Sequence, residues 1–269
     1  MRIARYAVGG DVSFGVVQGP PVDFGSDDTA GLVVAQMAGH PFAPAELTGR
    51  VHPLSDVRLL APVLPSKVIC IGKNYADHVA EMGAISGDMS APADPVMFLK
   101  PSTSVVGPGD AIALPASSTH VDHEAELAVV IGRLCRDVPR ERALEVVLGY
   151  TCANDVTARD HQKADGQWTR GKGHDTFCPL GPWVETELEP SDLRVRCEVD
   201  EVVRQDGSTR DLIHDVPSLI AWVSAVMTLL PGDVLLTGTP AGVGRLEPGG
   251  TVSVEVEGVG VLRNPVRAR

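Results

Sequence analysis

Alternating apolar and polar positions, interrupted every few residues by glycine or proline, predict a chain built mostly of short β-strands. The predicted strands contain the stretches RIARYAV, FGVVQG, KVICIG, PVMFLKP, VLLTGTPAGVG and TVSVEVEGVGVLRNPV. VRCEVDEVVRQDGST predicts a hairpin with QDG as its turn. Four segments have helical spacing: residues near 30–38, NYADHVAEMG ending at Gly83, residues 139–148, and a helix from about residues 215–218 that stops at Pro231. GYTCANDVTARD predicts a strand that runs into a helix or turn.

A proline-rich tract divides the chain into two parts. LLAPVLPSK covers residues 59–67; short strands and glycine-rich loops precede it, and longer buried strands and helices follow it. We therefore predict a small N-terminal α/β domain over residues 1–63 and a larger domain over residues 64–269. The predicted fold class is α+β and rich in β-strand.

Composition narrows the class of protein. The chain has 269 residues, 43% of them hydrophobic, and a net charge of −12. Nucleic acids and anionic membranes both bind basic surfaces, so we expect neither as a partner. The longest apolar run, LIAWVSAVMTLL, is shorter than the roughly 20 residues of a membrane-spanning helix, and MRIARYAVGG lacks the apolar core of a signal peptide. We expect a cytoplasmic protein.

The cysteines and glycines predict structure rather than chemistry. The five cysteines are widely spaced and include no CxxC pair, which indicates buried reduced thiols and not a disulfide framework or a zinc site. Cys178, next to Pro179, is expected in a packed turn and not as a nucleophile. GTPAGVG lacks the ordered glycines of a dinucleotide site, and no GxSxG motif occurs.

THVDHEAELAVVIGR places carboxylates at alternate positions just before an apolar run: Asp122, Glu124 and Glu126. Residues two apart in a strand lie on one face, about 7 Å apart, so Glu124 and Glu126 project together. Like charges beside a core are unfavourable unless one is protonated or a cation binds them. Oxygen ligands without a neighbouring cysteine suit a hard cation such as Mg²⁺. The same pattern also fits acidic residues that face water where the strand begins.

Two histidines in this segment suggest a different metal site. His120 and His123 together with the glutamates would form a mixed site for a transition metal. Alternation along the strand, however, points His123 away from Glu124 and Glu126. The hard-cation site is therefore the better of the two metal interpretations.

Spacing alone leaves two other candidates open. Asp155, in GYTCANDVTARDHQ, follows a strand and precedes a helix, where it fits either a metal ligand or a helix cap. His78 and Glu81 are three residues apart on a predicted helix. They fit either a general base paired with a carboxylate or an incidental surface ion pair.

Six segments, taken together, closely resemble the fumarylacetoacetate hydrolase family. They are GKNYADHVAEMG, FLKPSTSVVGPGD, DHEAELAVVIG, GYTCANDVTARDHQ, KGHDTFCPLGPW and LLTGTPAGVG, in this order. The similarity covers about residues 67–266 and is greatest to small bacterial-type members such as acylpyruvases and 2-hydroxyhepta-2,4-diene-1,7-dioate isomerases. It implies a mixed β-sandwich roll for residues 64–269 and a homodimer. The first 60 residues resemble the family's leading domain only loosely.

This resemblance implies a metal site formed by Glu124, Glu126 and Asp155 that holds Mg²⁺ or Mn²⁺. It also implies that His78 and Glu81 are catalytic and lie on a segment that closes over the substrate. Residues 84–94 would be the flexible neighbour of that segment.

Further residues take roles from the same resemblance. Lys172 matches a catalytic lysine that holds a substrate carboxylate or stabilises an enolate oxygen. Gly238 and Thr239 match a substrate-binding loop. Lys73 adds positive charge for the substrate, and Lys100 either does the same or serves as a structural ion-pair partner.

The predicted function is that of a divalent-metal-dependent enzyme of aromatic catabolism that acts on 2-oxo acids of the acylpyruvate or 2-oxo-enoate type. The favoured reaction is C–C bond hydrolysis through a metal-bound enolate. Isomerisation, and oxaloacetate-type decarboxylation or tautomerisation, use the same site and stay open. The alternative from another class is an inactive protein that binds oxyacids. His174 stands where many relatives carry an aromatic residue, which leaves the far end of the pocket open.

Overall fold

The structure is a computed structural model that describes residues 1–44, 46–86 and 93–269, and short strands dominate it. The strands are β1 (Arg2–Val8), β2 (Asp11–Gln18), β3 (Val33–Met37), β4 (Leu47–Pro53), β5 (Arg58–Leu60), β6 (Val68–Gly72), β7 (Val96–Lys100), β8 (Val105–Val106), β9 (Ile112–Leu114), β10 (Val121–His123), β11 (Ala125–Ile131), β12 (Val147–Asn154), β13 (Thr157–Ala158), β14 (Cys178–Glu185), β15 (Arg194–Val199), β16 (Val202–Ser208), β17 (Val234–Leu236), β18 (Gly244–Arg245), β19 (Thr251–Val256) and β20 (Gly260–Ala268). The α-helices are α1 (Ala76–Ser86), α2 (Arg159–Asp165), α3 (Thr169–Lys172) and α4 (Val216–Val226). Short 3-10 helices occupy Leu54–Asp56, Ser102–Ser104, Arg140–Val146 and Thr209–Asp211.

Most of these strands join one large mixed sheet. Its order is β4-β3-β2-β1-β14-β12-β11-β17-β6-β7, with β5 paired to β1 and β8 to β14. A second sheet has the order β16-β15-β19-β20-β9, and β10 lies between β13 and β18 in a small third one. This arrangement confirms the predicted β-rich α+β class with mixed sheets.

The strand β11 lies inside the large sheet with both of its faces buried. Leu127, Val129 and Ile131 join the larger apolar core, which α4 and the five-stranded sheet also line. Ala128 and Val130 join a second core on the opposite face. A slip of one residue would exchange the two sets, so this packing fixes the register of β11 and of the acidic residues at its start.

The N-terminal strands extend the large sheet. β1 pairs with β2, β5 and β14 in antiparallel fashion. The helix predicted near residues 30–38 is wrong, because Val33–Met37 form β3 and pair with β2. Adjacent β-branched valines on a half-buried surface favour a strand there. The domain boundary after residue 63 stays a prediction, since strands on both sides of it share this sheet.

The hairpin turn lies elsewhere than predicted. It falls at Asp200 and Glu201, which have φ values of 51° and 65°. The QDG segment lies inside β16 instead, with Gln205 opposite Cys197. Its glycine has a packing reason: a Cβ on Gly207 would lie 2.6 Å from Pro240 Cβ. This glycine therefore permits a close approach of a loop, and does not form a turn.

The helices differ from the prediction mainly at their ends. α1 continues past Gly83 to Ser86, and residues 140–146 form a 3-10 helix. α4 starts as predicted, with the Asp215 side chain accepting a hydrogen bond from the N–H of Ser218, but it ends at Val226. No helix of the described residues is long and apolar enough to cross a membrane.

The prediction of free thiols is confirmed for all five cysteines, four of which are buried while Cys135 is half-buried. The packed turn predicted at Cys178 is wrong, because Cys178 is the buried first residue of β14. Burial raises the pKa of the Cys178 thiol to about 12. The thiol is therefore neutral near pH 7, which does not suit a nucleophile.

The close packing of β12 against β14 gives a stability prediction. A Cβ on Gly149 would lie 2.3 Å from the carbonyl oxygen of Glu185, which is backbone and cannot move freely. We expect Gly149→Ala to lower the free energy of unfolding by about 1–3 kcal/mol in urea titrations, the usual cost of overpacking. Val202→Ala, in the exposed hairpin, should change it by less than about 0.5 kcal/mol. Equal effects of the two substitutions would contradict this interpretation.

Candidate active site

A break in the acidic strand places the first glutamate. β10 ends at His123 and β11 begins at Ala125, so Glu124 lies between them. The N–H of Glu124 donates to Asn154 Oδ1 (3.0 Å), and its carbonyl oxygen accepts from the N–H of Asp155 (2.9 Å). Since Asn154 ends β12, the pairing of β11 with β12 brings Glu124 and Asp155 to the same end of the sheet.

Three buried carboxylates meet at this position. Ligand oxygens of Glu124, Glu126 and Asp155 all lie within 4.8 Å of one another, and the residues are 4%, 1% and 1% exposed. Burial raises the pKa of Glu126 well above its usual value, and the charges of Asp155 and Glu124 raise it further. A divalent cation would offset that repulsion, and carboxylate oxygens are the ligands that Mg²⁺ and Mn²⁺ prefer. The cluster therefore fits the predicted metal.

Two cationic side chains border the carboxylates. Lys172 Nζ donates to Glu124 Oε2 (2.7 Å) and Asp155 Oδ2 (2.8 Å), and Arg159 Nη2 lies 2.7 Å from Glu124 Oε1. Burial alone would lower the pKa of Lys172, but Asp155 and Glu124 raise it. Burial alone would raise the pKa of Glu124, but Lys172 and Arg159 lower it well below its usual value. Near pH 7 Lys172 is therefore protonated and Glu124 is ionised.

Lys100 takes the structural role that the sequence left open. Its Nζ lies 2.7 Å from Asp155 Oδ1 and donates to the carbonyl oxygens of Val156 (3.0 Å) and Phe177 (2.8 Å). The side chain is only 1% exposed. Lys100 thus fixes Asp155 from behind and ties β7 to the segments that follow β12 and α3.

The neighbouring acidic and histidine residues point elsewhere. Asp122 Oδ2 accepts from Arg159 Nε (2.7 Å), and its Oδ1 lies 2.9 Å from His120 Nε2. His123 Nδ1 lies 3.0 Å from Gln205 Oε1. These contacts leave both histidines outside the carboxylate cluster, as strand alternation predicts for His123.

The predicted acid–base pair lies on α1 beside the cluster. His78 is 7% exposed, and its Nδ1 lies 3.3 Å from Glu81 Oε2. The N–H of Gly242 donates to both oxygens of Glu81 (3.1 and 3.2 Å). The hydrogen bond with His78 lowers the pKa of Glu81, and His78 also interacts electrostatically with Glu124. His78 is therefore buried, whereas the side chain of Glu81 is 31% exposed, and the contact with Gly242 ties the pair to the loop that follows β17. The predicted flexible neighbour falls partly outside the described residues, at positions 87–92.

Two predicted substrate-binding residues, Gly238 and Thr239, lie against the same cluster. The N–H of Gly238 donates to Glu126 Oε2 (2.6 Å), and Thr239 Oγ1 donates to the carbonyl oxygen of Ala125 (2.8 Å). Lys73 adopts a φ of 58°, which is uncommon for a residue other than glycine. It lies between β6 and α1, at the start of the segment that carries His78. Their contacts with substrate stay predictions.

Sequence reasoning missed Arg159 and Gln205. Arg159 is the first residue of α2, four positions after Asp155, and a cation so close to a candidate ligand was the available signal. Gln205 gives no such signal, because the QDG pattern predicts an exposed turn at this position. His174 Nε2 lies 3.1 Å from His161 Nδ1, and its ring centroid is 5.0 Å from that of Phe177, so an aromatic cluster surrounds the position.

Comparison with known proteins decides the family. Residues 67–267 match the family model described as fumarylacetoacetate (FAA) hydrolase C-terminal. The chain belongs to the fumarylacetoacetate hydrolase family. Residues 1–62 match a second model, described as Rv2993c-like, N-terminal. The chain is similar over nearly its whole length to Protein Rv2993c of Mycobacterium tuberculosis, with 53% identity over 99% of this chain and 98% of that protein.

Relatives within the fumarylacetoacetate hydrolase family bear the names of several reactions. The crystal structure of 2-hydroxyhepta-2,4-diene-1,7-dioate isomerase from Mycobacterium marinum is similar with a TM-score of 0.91 and 51% identity, over 100% of this chain and 99% of that one. The crystal structure of maleylpyruvate hydrolase from Sphingobium sp. SYK-6, in complex with manganese (II) ion and pyruvate, is similar with a TM-score of 0.78 and 32% identity. The similarity covers 100% of this chain and 99% of that one. The human mitochondrial oxaloacetate tautomerase FAHD2A is 44% identical over 80% of this chain and 71% of its own length. The superfamily is one of enzymes that typically depend on a divalent metal.

The carboxylate cluster gives a metal-binding prediction. We expect Asp155→Asn to weaken Mn²⁺ binding by more than about 100-fold, because it removes a ligand charge, and Asp122→Asn to weaken it less, within the about 10–100-fold range of residues behind the ligands. Electron paramagnetic resonance of free Mn²⁺ would measure both. If Asp122→Asn cost as much affinity as Asp155→Asn, the assignment of the ligands would be wrong.

Proposed function

We propose that this protein is a divalent-metal-dependent enzyme that hydrolyses a C–C bond in 2-oxo acids of the acylpyruvate or 2-oxo-enoate type. The observation that carries the proposal is that one loop makes hydrogen bonds both to the carboxylate cluster and to the acid–base pair. In the loop 237–242, the N–H of Gly238 donates to Glu126 of the carboxylate cluster, and the N–H of Gly242 donates to Glu81 of the acid–base pair. A ligand site for metal and a proton-transfer pair are thus held side by side.

The residues of the cluster would hold and orient the substrate. A divalent cation held by Glu124, Glu126 and Asp155 would supply Lewis acidity toward the oxygens of a 2-oxo acid. Lys172 and Arg159 carry positive charge at the edge of the cluster, where they can attract a substrate carboxylate. The burial of all these groups strengthens such interactions, because little water competes for them.

The pair on α1 would move the proton. Glu81 faces Nδ1 of His78, which leaves Nε2 as the nitrogen that accepts a proton. The carboxylate of Glu81 fixes the tautomer and the orientation of the imidazole. In hydrolysis His78 would take a proton from the attacking water and return it to the leaving carbon.

A second candidate function is isomerisation or tautomerisation of a related 2-oxo acid. The names of the similar isomerase from Mycobacterium marinum and of the human oxaloacetate tautomerase favour it. The same pair would then move a proton between substrate atoms without activating water. An inactive protein that only binds oxyacids would not need the His78–Glu81 pair.

We also propose that the protein works as a homodimer in the cytoplasm, with a small 2-oxo acid and no nucleic acid or membrane as its partner. The net charge of −12 supports the exclusion of anionic surfaces. The homodimer rests on similarity to the family.

A panel of 2-oxo acids tests the proposal. We expect Mg²⁺- or Mn²⁺-dependent turnover of acetylpyruvate or oxaloacetate that a chelator abolishes and fresh metal restores. Glu124→Gln should reduce turnover by about 100-fold or more, because Lewis acidity worth several kcal/mol is no longer held in place. Absence of metal-dependent turnover on every member would overturn the enzyme in favour of a binding protein.

Replacement of His78 tests whether the pair acts only in the activation of water. We expect His78→Ala to lower kcat for hydrolysis of acetylpyruvate by about 10²–10⁴-fold, the usual contribution of a general base. His40→Ala, which changes an exposed histidine of the N-terminal segment, is the control and should leave kcat unchanged. Equal loss of oxaloacetate tautomerisation in His78→Ala would show that the pair is not confined to activating water. Unchanged hydrolysis would remove it from the mechanism.

A further inference from the structure

The buried amide of Gln205 makes contacts that none of the roles above uses. Gln205 lies on β16 of the exposed hairpin, yet it is only 1% exposed. Its Oε1 lies 3.0 Å from both the N–H of Ala125 and Nδ1 of His123. Its Nε2 donates to Thr239 Oγ1 (2.7 Å) and to the carbonyl oxygen of Pro240 (2.8 Å). One side chain therefore joins three separate segments.

The orientation of this amide follows from its partners. The peptide N–H of Ala125 only donates, and the carbonyl of Pro240 only accepts, so the amide oxygen must face Ala125 and the nitrogen must face Pro240. His123 Nδ1 then carries the proton that it donates to Gln205. Burial lowers the pKa of His123, which favours this neutral form.

Gln205 and Thr239 together close a ring of hydrogen bonds around Ala125. The N–H of Ala125 donates to Gln205, Gln205 Nε2 donates to Thr239 Oγ1, and Thr239 Oγ1 donates back to the carbonyl oxygen of Ala125. Ala125 is the residue between Glu124 and Glu126. The ring thus fixes the peptide units from which two of the three carboxylates project.

The other side of the ring fixes the loop 237–242. Thr239 and Pro240 are the residues that Gln205 holds, and they lie between Gly238, which donates to Glu126, and Gly242, which donates to Glu81. Any shift of this loop relative to β11 would therefore change the setting of the acid–base pair relative to the carboxylates. The amide adds a further link between this loop and β11, beside the hydrogen bonds of Thr237 and Thr239 to the backbone of β11.

We propose that Gln205 is a positioning residue that sets the carboxylate cluster and the His78–Glu81 pair in register, a role that rests on the proposed function of that site. It touches neither the ligand oxygens nor the imidazole of His78. It acts through the backbone of Ala125 and through the loop 237–242. Without its hydrogen bonds both metal affinity and proton transfer should suffer, and by more than a loss of stability explains.

The test compares Gln205→Met with Asn264→Leu. Methionine retains the length of glutamine and removes its hydrogen bonds. Asn264, on β20 of the same sheet, is the matched control: it is also 1% exposed, and its Nδ2 donates to the carbonyl oxygens of Gly107 (2.9 Å) and Asp110 (2.8 Å), away from the cluster. Both variants should lose thermal stability. Gln205→Met alone should weaken Mn²⁺ binding by about 10–100-fold.

Two further readouts separate positioning from folding. Hydrogen–deuterium exchange of the protein without added metal should become faster across residues 237–242 in Gln205→Met and not in Asn264→Leu. In steady-state kinetics on the 2-oxo acid that the wild type turns over, kcat should fall at saturating Mn²⁺, because added metal cannot restore the setting of Glu81. Unchanged Mn²⁺ affinity and exchange in Gln205→Met, or equal losses in Asn264→Leu, would overturn the proposal.

Thr239→Val gives an independent check and carries the test should Gln205→Met fail to fold. It opens the ring while Gln205 keeps Pro240, so a smaller loss of Mn²⁺ affinity is expected. In the double variant the two losses should not add, because both act through one ring; additive losses would contradict the ring. Mn²⁺ affinity needs no substrate, so failure of the whole 2-oxo acid panel alongside normal Mn²⁺ results would reject the proposed function and leave the positioning of the metal site standing.

Discussion

Burial of three carboxylates within 4.8 Å of one another is the constraint around which this fold is arranged. Buried like charges are stable only when opposite charges or a cation compensate them. The protein supplies Lys100 from β7, Arg159 from α2 and Lys172 from α3. Those three elements must therefore converge on the start of β11. Through these contacts the edge strand β7, α2 and α3 are held against the carboxylates.

The same constraint explains why β11 has apolar residues on both faces. The carboxylates at the start of β11 are buried and gain no hydration, so the packing of its apolar side chains must hold the strand in place. Leu127 on one side and Val130 on the other belong to separate cores, and together they hold the strand in register. The charged end is thus anchored by its uncharged continuation.

How far the sequence led can be seen from particular residues. Strand alternation predicts Glu124 and Glu126 on one face, and the two carboxylates do meet, although the strand is interrupted at Glu124. Asp155 needed the family resemblance, because its approach depends on the pairing of β12 with β11. Local patterns misled where tertiary contacts decide: the apolar stretch near residue 35 is a strand because β2 lies beside it.

The hairpin shows the same limit more sharply. Aspartate followed by glycine is a strong turn signal, yet Gly207 is needed for the approach of Pro240. The actual turn uses Asp200 and Glu201, which carry no comparable signal. Because the pattern predicts a turn, it does not indicate the buried role of Gln205. The hydrogen-bond partners of Gln205 lie 80, 82, 34 and 35 positions away along the chain. No local window contains such a residue's role.

The loop 237–242 holds two carboxylates through peptide N–H groups, and this affects how the protein can be altered. A Cβ at Gly238 would lie 2.8 Å from Asn74 Cβ, and one at Gly242 would lie 2.1 Å from the carbonyl oxygen of Arg204. Both glycines also have positive φ, 106° and 96°. Efforts to redirect the enzyme to new compounds should therefore keep this loop constant and place diversity elsewhere, around His174 for example. Libraries that randomise residues 238 and 242 would sample mostly inactive protein.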